Sequence, residues 1–294
     1  MELGAHLPLI DLGNGTPTLT ELAAYARAAD VLGYAFLCAN DHLVYSRPWL
    51  DGPTALAATL EASGEMTLAT TISLLVVRGP LQLGKTLAAL DRLSGGRVVA
   101  GVGPGSSVRD YAAVGVPFDE RWQRLDEAIG ALRALWDATR PPFVGRFYST
   151  DGVIVDPPPA RASGPPIWVG SWGSPAGLRR VARLGDGWLA SGYNTTPSRF
   201  EACLGRLGTT FTNGIATMWL YLTESKRARN AMLADVLGPM LNRSAEELDK
   251  LFLPIGGRSR LAEVLAAYEA AGAQRVFLWP LGDEIRQLEL AASL

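Results

Sequence analysis

The chain has few of the residues that build covalent or metal-held frameworks, with 2 cysteines and 2 histidines among 294 residues. Cys38 and Cys203 lie in apolar or helical contexts, so we expect no disulfide framework and a reducing compartment. The two histidines, His6 and His42, stand far apart, and no histidine- or glutamate-rich cluster accompanies them. We therefore expect no metal site of the zinc or binuclear type.

The sequence also lacks a large charge excess and a long apolar run. Its net charge is −2 and its pI about 5.8, so it carries no basic footprint for nucleic acid. The longest apolar stretch, residues 66–77, is interrupted by Thr and Ser and is too short to span a bilayer. The first residues lack the basic region and apolar core of a signal peptide. We expect a cytoplasmic protein with no nucleic-acid or membrane partner.

Strand-like and helix-like patterns alternate along the chain. Strands are predicted at residues 3–9, 35–39, 66–75, 97–102, 167–170, 187–191, 217–222 and 275–279. Helices are predicted at residues 18–33, 53–62, 81–93, 119–136, 174–185 and 258–271. Eight strands alternating with helices are typical of an α/β protein of the (β/α)8 TIM-barrel type, which we expect to form one domain over residues 1–294.

Two features qualify this barrel. The alternation breaks at residues 137–166, a proline-containing stretch that we interpret as an insertion with a small hairpin rather than as a new domain. An open, doubly wound sheet is the structural alternative. That fold would carry a glycine-rich phosphate fingerprint after its first strand, and none is present there.

A histidine directly follows one of the predicted strands. Asn40, Asp41 and His42 come after the apolar run 35–39, at the strand end where a βα barrel carries its active site. Because a histidine oriented by an acid can carry a proton near neutral pH, Asp41 and His42 are the candidate catalytic residues. The alternative is a loop histidine with an ordinary surface hydrogen bond. His6, at the end of the first strand, would face the same mouth or fill the core.

Two further loops have the composition of ligand-binding turns. Gly101, Gly103 and Gly105 stand at alternate positions, where they would let a planar ligand approach the backbone, although glycine-rich turns are common. Residues 170–175 join a strand to a helix start, whose free N–H groups and dipole favour an anion such as a cofactor phosphate. A tight turn capped by Ser174 is the alternative there.

Nucleophilic catalysis has little support in the sequence. The chain has no Gly-x-Ser-x-Gly elbow, and neither cysteine has an obvious basic partner. A barrel with a phosphate loop, few catalytic side chains and an apolar mouth suits a cofactor that carries the difficult chemistry itself.

Several short motifs fall in order along residues 1–192. They are Asn40-Asp41-His42, residues 71–75, 78–80, 90–97, 101–103 and 115–118, Arg121, Asp126-Glu127, and residues 166–170 and 185–188. With these motifs the chain resembles the bacterial luciferase-like family of flavin and deazaflavin oxidoreductases, above all its branch that uses coenzyme F420. The run Leu-Ser-Gly-Gly-Arg at residues 93–97, followed by Gly101-Val102-Gly103, is the most specific of them.

The resemblance implies roles for particular residues. A non-proline cis peptide would join Ser73 and Leu74 and form a bulge behind the deazaflavin ring. Asp41 would touch the ring edge or hydroxyls, and His42 would lie near the reactive ring as proton donor, proton acceptor or substrate clamp. The implied cofactor-binding residues are Asp41, Ser73, Leu74, Gly103, Gly105, Ser106, Gly170, Ser171, Trp172 and Gly173.

One departure from the family pattern bears on the reaction. The branch that oxidises a sugar phosphate carries a glutamate where this chain has Ser106, which argues against that reaction and leaves His42 as the main acid–base candidate. The resemblance therefore implies an F420-dependent oxidoreductase that transfers a hydride between reduced deazaflavin and a small organic substrate such as a carbonyl, imine or activated alkene. An FMN-dependent monooxygenase using dioxygen and a non-catalytic deazaflavin-binding protein are the alternatives. A homodimer is expected.

Overall fold

The computed structural model describes all residues from 1 to 294. Ten strands form one sheet. In chain order they are β1 (Glu2–His6), β2 (Phe36–Ala39), β3 (Thr67–Thr70), β4 (Ser73–Leu74), β5 (Val98–Gly103), β6 (Ile167–Gly170), β7 (Gly187–Ser191), β8 (Asn213–Leu222), β9 (Ile255–Gly256) and β10 (Arg275–Pro280). All strand pairs are parallel, as expected when a crossover segment separates each strand from the next.

The sheet closes on itself, which confirms the predicted (β/α)8 barrel and rules out the open sheet. The closing strand, β10, pairs with β1 on one side and with β8 on the other. Eight of the strands form the barrel wall, while β4 continues the line of β3 and β9 extends beyond β8. Closure brings the carboxyl ends of all eight wall strands to one rim, where the loops that follow them meet.

Thirteen helices surround this wall or cross its rim. They are α1 (Leu19–Val31), α2 (Gly52–Ala58), α3 (Leu75–Arg78), α4 (Pro80–Leu93), α5 (Val108–Ala113), α6 (Arg121–Trp136), α7 (Pro175–Leu184), α8 (Pro197–Leu207), α9 (Lys226–Ala231), α10 (Gly238–Leu241), α11 (Ala245–Asp249), α12 (Arg258–Ala270) and α13 (Glu284–Ala292). The predicted capping box is present at α1, where Thr18 and Glu21 satisfy each other's backbone N–H groups. None of the helices is both long and apolar enough to cross a membrane.

The apolar core has two parts that correspond to the two faces of the barrel wall. A small cluster fills the barrel interior with alternate residues of the strands: Phe36, Cys38, Ala69, Val99, Trp168, Leu189, Ala216 and Phe277. A much larger cluster lies between the strands and the surrounding helices. Burial on both faces explains why strands such as β5 are almost continuously apolar in the sequence.

The third predicted strand, residues 66–75, is interrupted in the structure. Ala69 lies opposite Val99 and Ser73 opposite Val102, so this strand holds one residue more than β5 over the same length. The extra residue makes a β-bulge, and the non-proline cis peptide lies within it, between Thr71 and Ile72. The predicted position between Ser73 and Leu74 is wrong because those two residues have already resumed regular pairing with β5.

Two other segments differ in detail from the predictions. In the insertion at residues 137–166 the hairpin is reduced to a single antiparallel bridge between Val144 and Ser149. The insertion is anchored where Arg161 pairs with the buried carboxylate of Asp91 on α4. Between β8 and β9 the chain forms a rim segment with a π-helical stretch, Met232–Leu237, which no sequence pattern predicted.

Candidate active site

A cavity of about 380 Å³ opens at the carboxyl-terminal rim of the barrel. It is lined by nine of the predicted site residues: Asp41, His42, Leu74, Gly103, Gly105, Ser106, Gly170, Ser171 and Trp172. The other two predicted residues lie just outside it. Ser73 is fully buried in the wall, and Gly173 packs against Cys203 on α8. Closure of the barrel thus brings loops that are more than a hundred residues apart in the chain to one site.

His42 is held by a carboxylate, but not by its sequence neighbour. The Nδ1 atom of His42 lies 2.7 Å from Oδ2 of Asp110, which is on α5 and has a side chain only 2 % exposed. The other oxygen of Asp110 accepts hydrogen bonds from the backbone N–H groups of Leu43 and Val44, at 2.9 and 2.7 Å. Burial acts to raise the pKa of Asp110, but the hydrogen bonds from His42 and these N–H groups outweigh it, and the pKa is lowered.

Asp41 has a different partner, which corrects the expectation that it orients His42. Its carboxylate is fully buried and accepts two hydrogen bonds of 2.6 Å from Arg78, as well as one of 3.2 Å from the Leu74 N–H group. Arg78 also contacts Asp51, the N-cap residue of α2. These hydrogen bonds and charges outweigh burial and raise the pKa of the Arg78 guanidinium. The charge of Asp41 is therefore compensated by Arg78 within the wall of the cavity, and the hydrogen bond to Leu74 connects the loop after β2 to the bulge.

His6 is a core histidine whose two ring nitrogens are both satisfied. Its Nδ1 lies 2.7 Å from the carbonyl oxygen of Leu7, and its Nε2 accepts a hydrogen bond of 3.0 Å from the N–H group of Asn40. The ring stacks on Trp279 at a centroid distance of 3.5 Å. Because Nε2 is an acceptor, His6 is neutral, and burial lowers its pKa to about 3. His6 thus positions the start of the loop that carries His42.

The burial of neutral His6 predicts a loss of stability in acid. The unfolded chain takes up a proton at His6 below a pH of about 6.5, whereas the folded chain does so only near 3. The free energy of unfolding should therefore fall from about pH 6.5 downwards, with a His6 contribution that approaches about 1.4 kcal/mol per pH unit. Urea unfolding of the native chain and of His6→Phe between pH 7 and 5 measures how steeply the free energy of unfolding depends on pH in each protein. Equal slopes in the two proteins would contradict this assignment.

The alternating glycines at the end of β5 face the bulge, and Gly103 lines the cavity as well. A Cβ atom on Gly101 would lie 1.9 Å from the carbonyl oxygen of Thr70. A Cβ atom on Gly103 would lie 2.5 Å from Cδ1 of Ile72. These glycines make room for the bulged segment of the neighbouring strand, a role that their spacing did not predict. Ile72 consequently protrudes into the cavity as part of its floor.

The turn after β6 leads into a helix start and keeps part of its backbone donors free. The N–H groups of Ser171 and Gly173 are bonded, to the Leu189 carbonyl oxygen and to the Ser171 hydroxyl, whereas those of Trp172 and Ser174 have no partner. Ser174 caps α7 by accepting a hydrogen bond of 3.1 Å from the Gly177 N–H group, and Pro175 occupies the first turn. The cap agrees with the alternative interpretation, a tight turn capped by Ser174, and the helix start at which an anion could bind is present as well. Trp172 is half exposed at its edge. No group of three or more His, Cys, Asp or Glu side chains in the chain is close enough to hold a metal ion.

Two guanidinium groups line the cavity without a carboxylate partner. Arg121, at the start of α6, donates a hydrogen bond to the carbonyl oxygen of Phe118 and lies 3.9 Å above its ring. Arg199, on α8, lies beside the turn after β6, since a Cβ atom on Gly173 would be 3.5 Å from its Nε. With Asp41 paired to Arg78, the cavity carries an excess of positive charge that favours an anionic ligand.

Asp110 and Arg199 belong to the candidate site, although no pattern in the sequence indicated them. Asp110 follows Ser107 by three positions, and Ser107 caps α5, so the pair has the ordinary appearance of a helix start. The 68 positions between His42 and Asp110 hide their contact. Arg199 lies on α8, a helix that was not predicted. The one sequence signal for Asp110 is that it is the first acidic residue after the predicted strand 97–102.

The chain belongs to the luciferase-like monooxygenase family, whose sequence model matches residues 5–207. It is 31% identical over 191 residues to the F420-dependent hydroxymycolic acid dehydrogenase of Mycobacterium tuberculosis, covering 62% of this chain and 51% of that protein. It is 32% identical over 185 residues to the F420-dependent glucose-6-phosphate dehydrogenase of Intrasporangium calvum, covering 58% of this chain and 53% of that protein. The chain thus spans about half the length of these curated relatives.

Solved structures share the fold over the whole chain. The F420-dependent secondary alcohol dehydrogenase, solved with an F420–acetone adduct, superimposes with a TM-score of 0.85 at 16% identity and covers 99% of this chain and 97% of that one. The monooxygenase RslO1 from Streptomyces bottropensis also gives a TM-score of 0.85, at 19% identity, with coverage of 100% and 98%. At these identities the likeness establishes the fold alone.

Proposed function

We propose that the protein is an F420-dependent oxidoreductase that interconverts a small carbonyl, imine or activated alkene and its reduced form. One cavity joins a carboxylate-held histidine to an anion-binding turn and two unpaired guanidinium groups, and this arrangement carries the proposal. The F420-dependent relatives at 31 and 32% identity support it.

The residues present fit a deazaflavin coenzyme. The turn after β6, with Arg199 beside it, would hold the phosphate, and Arg121 would meet a further acidic group of the cofactor. The buried side-chain oxygen of Asn40 lines the same cavity and has no hydrogen-bond partner, so it is free to accept one from a polar ring edge. The bulge around Ile72 would support the ring from below.

His42 would move the proton in this reaction. Reduced F420, when bound, supplies a hydride. In the reducing direction the hydride would add to the carbonyl carbon and the carbon–oxygen π electrons would pass to oxygen. His42, carrying a proton on Nε2 as well as on Nδ1, would give the Nε2 proton to that oxygen. In the reverse direction His42 takes the proton from the alcohol. Asp110 holds the imidazole throughout and compensates its positive charge.

Titration of the purified protein with F420 and, separately, with FMN tests the proposal. We expect tight binding of F420 and weak binding of FMN. Arg199→Gln should weaken F420 binding roughly tenfold, the effect of losing one charge-assisted hydrogen bond. The matched control is Arg206→Gln, an exposed arginine on the same helix that does not line the cavity and should leave binding unchanged.

Three results would overturn the proposal. Preference for FMN, with oxygen uptake on reduction, would make the protein a monooxygenase. Binding of F420 without hydride exchange in a single turnover, over a panel of ketones, imines and enones, would make it a non-catalytic binding protein. Binding of neither cofactor would remove the basis for both functions.

A further inference from the structure

We propose that Asp110 is the positioning residue that fixes the tautomer of His42, so that the proton of the neutral imidazole is on Nδ1 and Nε2 is left free to exchange a proton with substrate. The role in turnover rests on the proposed function. The tautomer itself is a property of the protein without any ligand, so the two can be tested apart.

The hydrogen bonds of Asp110 leave one arrangement for the proton. A carboxylate only accepts, so the 2.7 Å contact between Oδ2 and Nδ1 requires a hydrogen on Nδ1. The other oxygen, Oδ1, is occupied by the N–H groups of Leu43 and Val44. The carboxylate cannot rotate away, because both of its oxygens are bonded and its side chain is only 2 % exposed. The Nε2 atom of His42 has no partner within the protein, and His42 lines the cavity.

Helix α5 joins this histidine to the loop beside it. The residue after Asp110, Tyr111, is fully buried and donates a hydrogen bond of 2.6 Å to the carbonyl oxygen of Pro104. Adjacent residues of one short helix therefore hold two cavity-lining loops, the loop with His42 and the loop with Gly103 and Gly105. The position of His42 relative to the cavity floor is set through α5 rather than by the loop after β2 alone.

Replacing Asp110 by asparagine should invert the tautomer while keeping the loop. The N–H groups of Leu43 and Val44 need an acceptor, so the amide oxygen takes the place of Oδ1. The amide nitrogen then faces Nδ1 of His42 and donates to it, which forces the imidazole hydrogen onto Nε2. A purely structural role of Asp110 would change stability without this inversion.

Nitrogen-15 NMR of the ligand-free protein tests the tautomer directly, since His6 and His42 are the two histidines of the chain. At a pH where both are neutral, the native protein should show two imidazoles protonated at Nδ1, because His6 donates from Nδ1 to Leu7. In Asp110→Asn one of them should shift to the Nε2-protonated form. The control Asp119→Asn makes the same charge change at an exposed position and should shift neither.

Turnover completes the test. With a working substrate, Asp110→Asn should lower kcat by roughly a hundredfold or more, while the Kd for F420 changes little. An Nε2-protonated His42 in the native protein would overturn the inference even if Asp110→Asn fails to fold, and so would an unchanged tautomer in that variant. If His42 is protonated at Nδ1 but the protein transfers no hydride, the proposed function is wrong and the positioning role of Asp110 is still supported.

Discussion

Replacing His42 by alanine is expected to lower kcat by roughly 10²- to 10⁴-fold, the range that a general acid–base residue contributes. The imidazole lines the cavity, and its Nδ1 is held by Asp110. Alanine removes the group proposed to exchange a proton with substrate but leaves the turn after β6 and the cavity floor in place. Binding of F420 should therefore be nearly unchanged, so the loss appears in kcat rather than in Kd.

The matched control for this experiment is Tyr45→Phe. The Tyr45 ring packs against His42 at a centroid distance of 4.8 Å, and its hydroxyl group donates to the carbonyl oxygen of Met240. Phenylalanine keeps the ring against His42 and removes the bond to the rim segment. Turnover of this variant should stay within a few-fold of native, as a lost neutral hydrogen bond away from the reacting atoms predicts. Full turnover of His42→Ala with an unchanged pH profile would show that His42 carries no proton in the reaction.

Replacing Arg78 by alanine is expected to lower the free energy of unfolding by about 3–5 kcal/mol. The Asp41 carboxylate is fully buried, and Arg78 supplies both of its charged contacts, each at 2.6 Å. Without the guanidinium the buried charge keeps only the backbone N–H group of Leu74. An unpaired buried charge costs far more than an exposed one, because water cannot solvate it.

Urea unfolding measures this loss as a change in the midpoint at constant slope. Arg286→Ala is the matched control, because Arg286 pairs with Glu289 on the protein surface, where the two side chains are 60 and 47 % exposed. That pair should contribute less than about 1 kcal/mol. If the two variants lose the same free energy, the Arg78–Asp41 pair does not stabilise the wall of the cavity.

Local patterns in the sequence were sufficient to predict most of the strands and helices of the barrel. The run 35–39 became β2, residues 97–102 shifted by one position to β5, and the capping box at Thr18 opened α1 as predicted. These elements are specified by burial on both strand faces and by side chains that satisfy nearby backbone groups. The bulge was not predictable in this way, since the extra residue is defined only by pairing with β5.

The candidate site, too, was predictable from the sequence in its location but not in the contacts between its side chains. The sequence located the loop of Asp41 and His42 and the turn after β6, because in a parallel barrel such loops share one rim. It paired the wrong groups there, since adjacent residues on a strand or extended loop point to opposite sides. Asp41 turns into the wall toward Arg78, and His42 turns toward Asp110, 68 positions away.

The sequence by itself determined the class of fold, the family and the rim at which the candidate site lies, because periodicity, caps and strand-end motifs are local in the chain. The tertiary structure alone decided which carboxylate holds His42, which cations remain unpaired in the cavity and what the glycines at the end of β5 accommodate. Those properties depend on contacts between elements that are distant in sequence. Such contacts exist only once β10 has closed the barrel between β1 and β8.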